Sequence, residues 1–130
     1  MTARWATSFG TGIGLVAATA AAGSLPTIAG TCVRTVVTVV GQRRSDGPSG
    51  PSIPGSGSAV NFANGGYQVS YDEIEAVNLA QVNDPVVLCL VRLPSNCPPG
   101  DERGKLYATI DLWTLLFWVL PDSEHACGGA

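Results

Sequence analysis

The sequence predicts a mainly β fold: a small antiparallel β-sandwich or barrel-like domain, stapled by disulfides, after an N-terminal signal peptide. Three observations predict it. Short apolar runs such as "CVRTVVTVV" and "PVVLCLVRL" alternate with Gly/Pro turns, and runs of that length and punctuation read as strands. Four cysteines occur in a chain of 130 residues, an even count that reads as a disulfide framework in a small exported protein. The first thirty residues carry Arg4 and no other charge.

Those thirty residues come first in the chain and in the reasoning. Arg4 supplies a short positive region, Ile13 to Ala22 is apolar and small, and Ala20-Ala21-Ala22 offers a cleavage site before Gly23. That is the anatomy of a secretory signal over residues 1–22, with cleavage as late as about residue 30. The competing reading is an uncleaved anchor. Glycines and Pro26 interrupt the stretch, and its strongly apolar part is about half of the roughly 20 residues that a spanning helix needs. "IAGTC", Ile28 to Cys32, resembles a lipoprotein cleavage box, but Thr31 stands where a small Gly, Ala or Ser belongs. A periplasmic or secreted location is expected, with no membrane span after signal removal.

Residues 31–130 form the expected single β domain, since a chain of this length is one domain by the length prior. Without Arg4 it carries six basic and ten acidic residues, a net charge of −4. A weakly acidic surface gives phosphate backbones little to hold, so nucleic acid is not an expected partner.

The elements follow in order. Cys32 to Val40 is β-branched and reads as a strand. Gly41 to Ser58 has thirteen Gly, Pro or Ser among eighteen residues and is expected to be a flexible loop. "SAVNFANGGYQVSY" reads as a hairpin around a two-residue type I′ turn at Asn64-Gly65, pairing Phe62 with Tyr67, Asn61 with Gln68 and Val60 with Val69. Asp72 and Glu75 suggest a capping box and a short helical turn. Pro85 to Leu93 is a continuous apolar run, hence a buried central strand. Lys105 to Leu120 supplies one or two further strands.

The cysteines are spaced by 57, 8 and 30 residues with no C-x-x-C, which argues against a zinc site, so no metal or other cofactor is expected. A catalytic cysteine needs a base and an electropositive setting, and no Cys-His arrangement suggests one. Four cysteines allow three connectivities. The expected one is Cys89 with Cys97, closing the "LVRLPSN" loop, and Cys32 with Cys127, tying the first strand to the tail.

No catalytic residue is assigned. The carboxylates Asp72, Glu73, Glu75, Asp101, Glu102, Asp122 and Glu124 are sequence neighbours, whereas acid/base chemistry needs two carboxylates converging across a cleft. Asp122, Ser123 and His125 carry the letters of a triad without its folding-imposed geometry. "GTGIG", Gly10 to Gly14, lies in the signal.

"LWTLLFWVL", Leu112 to Leu120, is apolar on both faces if it is a strand. Leu112, Leu116, Trp118 and Leu120 share one side; Trp113, Leu115, Phe117 and Val119 share the other. One side covers the core. The other is expected to be buried under the Gly41–Ser58 loop or, as the next reading, to form a partner or homodimer interface through the 112–120 strand.

"NGGYQVSYDEI", "DPVVLCLVRLPSNCPPGDERGKLY" and the ending "LPDSEHACGGA" resemble a group of small exported proteins of proteobacteria, over roughly Asn61 to Ala130. "CPPGD" and "LPDS-x-H-x-CGGA" are the specific parts. The group has no established activity, so the resemblance implies export and disulfides and no reaction. Where polar residues are expected on alternate positions before "LPDS", this chain has Trp113, Leu115 and Phe117. That departure assigns Trp118 and Leu120 to the core and marks the Trp113/Phe117 side as unusual.

The function these features predict is an exported, non-catalytic binding or structural module of the cell envelope, its partner an unidentified protein or envelope component. The candidate partner surface is Trp113, Leu115 and Phe117, with Arg92, Asp101 and Arg103 presented by a stapled loop. Two alternatives are an inhibitor of lysozyme type, on a distant likeness of "ERGKLY" that rests on Lys105 and Tyr107, and a small hydrolase using His125 with Asp101, Asp122 or Glu102.

Overall fold

A computed structural model of the chain describes Gly10 and residues 23–129; the expected signal peptide over residues 1–22 lies almost wholly outside them. Six strands form one antiparallel sheet: β1 (Cys32–Gln42), β2 (Ser58–Phe62), β3 (Tyr67–Val69), β4 (Pro85–Arg92), β5 (Leu106–Asp111) and β6 (Phe117–Pro121). Their order is β3-β2-β1-β4-β5-β6. The sheet curls into a half-barrel that brings its two edges, β3 and β6, together. A four-residue helical turn, α1 (Glu75–Asn78), plugs the concave side. No helix among the described residues is long and apolar enough to cross a membrane.

The alternation of each strand explains the curl. Val37, Val60, Phe62, Val86, Leu88, Leu90, Tyr107, Trp118 and Leu120 point inward and form one core with Val77 and Ala80 of the α1 region. The continuous apolar run of β4 does lie at the centre, between β1 and β5, although only its alternate residues are fully buried. Trp118 and Leu120 are in the core, as the sequence requires.

Five expectations are corrected. The first is the cysteine pairing, which is Cys32–Cys89 and Cys97–Cys127. Cys32 lies directly opposite Cys89 in the β1/β4 register. Cys89 sits in mid-strand, and β4 continues three residues to Arg92, which at about 3.4 Å per residue carries the chain some 10 Å away before Cys97 is reached.

The second is the hairpin register. Asn61 pairs with Tyr67, Val60 with Gln68 and Ala59 with Val69, one residue away from expectation. The connection is a three-residue loop: Gly65 N–H donates to the Phe62 carbonyl at 3.1 Å and Phe62 N–H to the Gly66 carbonyl at 2.9 Å. Only Gly65 takes positive φ, at 85°, which is the type I turn plus G1 bulge rather than type I′. Asn64 keeps negative φ because its side chain is committed, accepting from Gly66 N–H and donating to the Gly23 carbonyl. A slip of one residue turns every side chain to the other face, so Gln68 enters the core.

The third is the capping box. Ile74 caps α1 without a side-chain bond; the Ser58 hydroxyl accepts from Ile74 N–H instead and donates to Asn78 Oδ1. The fourth is the extent of the Gly41–Ser58 loop: Gly41 and Gln42 belong to β1 and Ser58 to β2, and the residues between are joined by Arg43 N–H to the Gly57 carbonyl, Ile53 N–H to the Arg44 carbonyl and a Ser45–Ser52 bridge. Gly57, at φ 118°, passes so close to the Ser70 carbonyl that a Cβ there would collide with it. The fifth is the 112–120 strand, which begins only at Phe117; Leu112 to Leu116 make the β5–β6 turn.

Candidate docking surface on the outer sheet face

The register places two rows of side chains on the convex face. One is Arg34, Val87, Ile110 and Phe117; the next is Cys32, Cys89, Ala108 and Val119. The inward rows between them, such as Leu88, Thr109 and Trp118, are buried. The outer rows are not. Phe117 is 68% exposed, and Ile110 and Val119 are each 45% exposed. At the turn beside them Trp113 is 77% and Leu115 76% exposed. The Gly41–Ser58 loop therefore does not bury this side. Scattered exposed apolar residues are ordinary, and it is their grouping on one face that makes this a candidate docking surface.

The turn that carries Trp113 and Leu115 is held from beneath. Asp111, fully buried, accepts from Trp113 N–H at 2.8 Å and Thr114 N–H at 3.1 Å through Oδ1. Asp111 N–H donates to the Leu116 carbonyl, Leu115 N–H donates to the Asp111 carbonyl, and Leu116 N–H donates to the Thr114 hydroxyl. Leu115 sits in the left-handed region at φ 61°, a conformation that costs a side chain with a Cβ about 1–2 kcal/mol. A large apolar residue, exposed and strained, is a poor choice for a turn unless its side chain is needed there.

Beneath the turn, Asp84 Oδ2 accepts from Gln81 N–H at 2.9 Å. Asp84 is a neighbour of Asp111, whose Oδ2 meets no N–H or hydroxyl donor among the described residues. Burial first, and the Asp84 contact second, push the Asp111 carboxyl above its ordinary value.

The six residues singled out as a partner surface divide into two groups. Trp113, Leu115 and Phe117 come together at one end of β5. Arg92, Asp101 and Arg103 lie at the other end, where Arg92 pairs with Leu106. Asp101 and Arg103 are engaged with each other rather than displayed. Arg103 Nε and Nη2 each donate to the Asp101 carboxylate at 2.9 Å, Nη2 also reaches the Gly129 carbonyl, and Gly128 N–H donates to Asp101. The Arg103 hydrogen bonds first, and the Gly128 N–H second, hold the Asp101 carboxyl well below the usual carboxylate range. This clasp folds the tail onto the loop and aligns Cys97 with Cys127.

The groups of the hydrolase reading stand apart. Asp122 Oδ1 accepts from Gly104 and Lys105 N–H. Lys105 Nζ lies 3.4 Å from Glu102. His125 Nε2 is 3.3 Å from the Tyr71 hydroxyl. No hydrogen bond among the described residues joins His125 to Asp101, Glu102 or Asp122. Of the two residues behind the inhibitor likeness, Tyr107 is in the core. No three His, Cys, Asp or Glu side chains gather to hold a metal among the described residues.

Sequence reasoning missed a second cluster. The Arg43 guanidinium lies 4.3 Å over the Tyr71 ring, pairs with Glu124 at 2.9 Å and donates to the Ser56 carbonyl at 2.6 Å. Its partners Tyr71 and Glu124 line, with Pro121, a hollow of about 200 Å³. Burial, then the Glu124 charge, pushes the Tyr67 hydroxyl up. The Arg43–Glu124 pair bolts the Gly/Pro/Ser loop to the tail. Arg43-Arg44 was visible in the sequence as a basic pair, but nothing there marked Tyr71 and Glu124 as its neighbours.

The chain matches no family model, no curated protein and no solved structure.

Proposed function

We propose that the protein is an exported, non-catalytic binding module of the cell envelope, which docks a protein partner on its outer sheet face and the Trp113–Phe117 turn. The observation that carries this is the turn itself: a fully buried aspartate holds from beneath the turn that displays Trp113 and a left-handed Leu115, next to the exposed Phe117 of β6. Rigid aromatic anchors of this kind bind with little loss of conformational freedom. Two disulfides suit an oxidising compartment. The dispersal of His125, Asp101, Glu102 and Asp122 favours binding over hydrolysis.

Site-specific photocrosslinking tests the reading. A photoreactive phenylalanine analogue at position 117, in the exported protein in cells, is expected to give a discrete protein adduct. The same analogue at position 44, in the Gly/Pro/Ser loop, is expected to give none. Equal labelling at both positions, or no adduct at 117, removes the docking role of this face.

A further inference from the structure

We propose that the occupant of the outer face is a second copy of this chain, packed face to face as the second layer of a sandwich; the inference rests on the docking reading above. The argument starts from what the fold leaves unfinished. A β-sheet buries its apolar faces by packing against another layer. Here the concave face is filled by the protein's own core, while the convex face carries Val87, Ile110, Phe117 and Val119 with no layer over it among the described residues.

Area and charge both suit a copy. Trp113 and Phe117, at 77% and 68% exposed, offer about 300 Å² between them on the 150–250 Å² typical of such side chains. The half-exposed aliphatic residues beside them bring the face to about 600 Å², against about 800 Å² per partner in a standard interface. Two such faces meet the lower bound of a specific complex, which points to a dimer of about micromolar strength. Across the two rows Arg34 is the one charged side chain. A face so nearly neutral neither repels its twin nor calls for a partner of opposite charge.

Shape argues the same way. The row Val87, Ile110, Phe117 is tall. The adjacent row is low along the Cys32–Cys89 bridge and Ala108 and rises only at Val119, at its β6 end. One face thus presents a ridge beside a trough. A two-fold axis running between the rows sets each copy's ridge into the other's trough, which is the self-complementarity an isologous interface requires. Sheets twisted alike pack aligned in this way, about 10 Å apart. The cross-strand disulfide under the trough keeps β1 and β4 from parting beneath the load.

Sedimentation velocity of the oxidised protein from about 1 to 200 μM, bracketing that strength, tests it. The expected result is a monomer–dimer equilibrium. Ala108→Arg fills the trough with a charge, and Ile110→Lys does the same to the ridge. Each is expected to give monomer at every concentration, with an unchanged circular dichroism spectrum showing that the domain is folded. Glu102→Arg, at the far end of β5, is expected to leave the equilibrium in place. A monomer throughout overturns the proposal, as does a dimer that survives both face variants. If the chain is monomeric yet the Phe117 adduct forms with a different protein, the second copy is wrong while the docking face stands. If the chain is monomeric and position 117 gives no adduct, both fall.

Discussion

Gln68→Leu tests whether one buried amide closes the half-barrel. Gln68 has no exposed surface. Its Oε1 accepts from the Trp118 indole N–H at 2.8 Å and from the Thr109 hydroxyl; its Nε2 donates to the Tyr107 carbonyl at 2.8 Å and the Leu120 carbonyl at 3.2 Å. One β3 side chain thus bonds to β5 and β6 across the sheet's open side. Leucine has nearly the same volume and none of these bonds. Two buried donors, at about 2 kcal/mol each, less about 1 kcal/mol for the added apolar burial, leave a loss of about 3 kcal/mol. With a urea m-value of about 1.5 kcal/mol/M, the unfolding midpoint drops by about 2 M. Thr109→Val in the same background removes one stranded donor, so the two losses are expected to be non-additive by about 1 kcal/mol or more. Urea titration of the oxidised protein reads both. A Gln68→Leu midpoint within about 0.3 M of wild type, or an additive cycle, refutes the idea that the amide is the closure.

Two further predictions follow from the same structure. The raised Asp111 value means that the folded state holds a proton more tightly than the unfolded chain, so this group's stabilisation is complete at acid pH and is lost as pH rises through the folded value. Asp111→Asn keeps an oxygen for the Trp113 and Thr114 N–H groups and removes the titrating carboxyl; its thermal midpoint between about pH 4 and 8 is expected to be flatter than wild type, and parallel profiles would refute the raised Asp111 value. Removing either disulfide as a Cys→Ser pair is expected to cost about 4 kcal/mol by the chain-entropy model, with the Cys32/Cys89 and Cys97/Cys127 losses nearly equal because the loops closed span 57 and 30 residues. Non-reduced peptide mapping that links Cys89 to Cys97 would overturn the pairing itself.

The strands were legible because β-branched runs and Gly/Pro turns are local signals, and β1, β4 and β6 each contain the residues that announced them. The Trp113/Phe117 side was legible as a departure from an alternating pattern. What failed was registry. At "NGG" the dipeptide signal favours a two-residue turn, and the deciding fact, the Asn64 side chain bonding to Gly23, lies forty-one residues away. That single shift hid Gln68, which reads in the sequence as an outward amide opposite Asn61. The cysteines failed for the same reason: which pair is opposed depends on how β1 lies on β4, and no short-range feature reports it. Asp111 was passed over although "DLWT" does contain the signature of an aspartate bonding two and three residues ahead; its burial was the missing half.

The true bridges have one further property. Each cysteine is joined to the next one along the chain, Cys32 to Cys89 and Cys97 to Cys127. For a polypeptide delivered N-terminus first into an oxidising compartment, the first thiol meets the second before the third has arrived, and the third then meets the fourth. An oxidase that links thiols strictly in order of arrival makes both native bonds and no wrong one, whereas a nested arrangement would hold Cys32 unpaired until the last residues emerge and would call on thiol–disulfide exchange to correct early errors. Delivered in that way, a chain with this connectivity would form its native bonds in order of arrival and would need no disulfide isomerase to correct them.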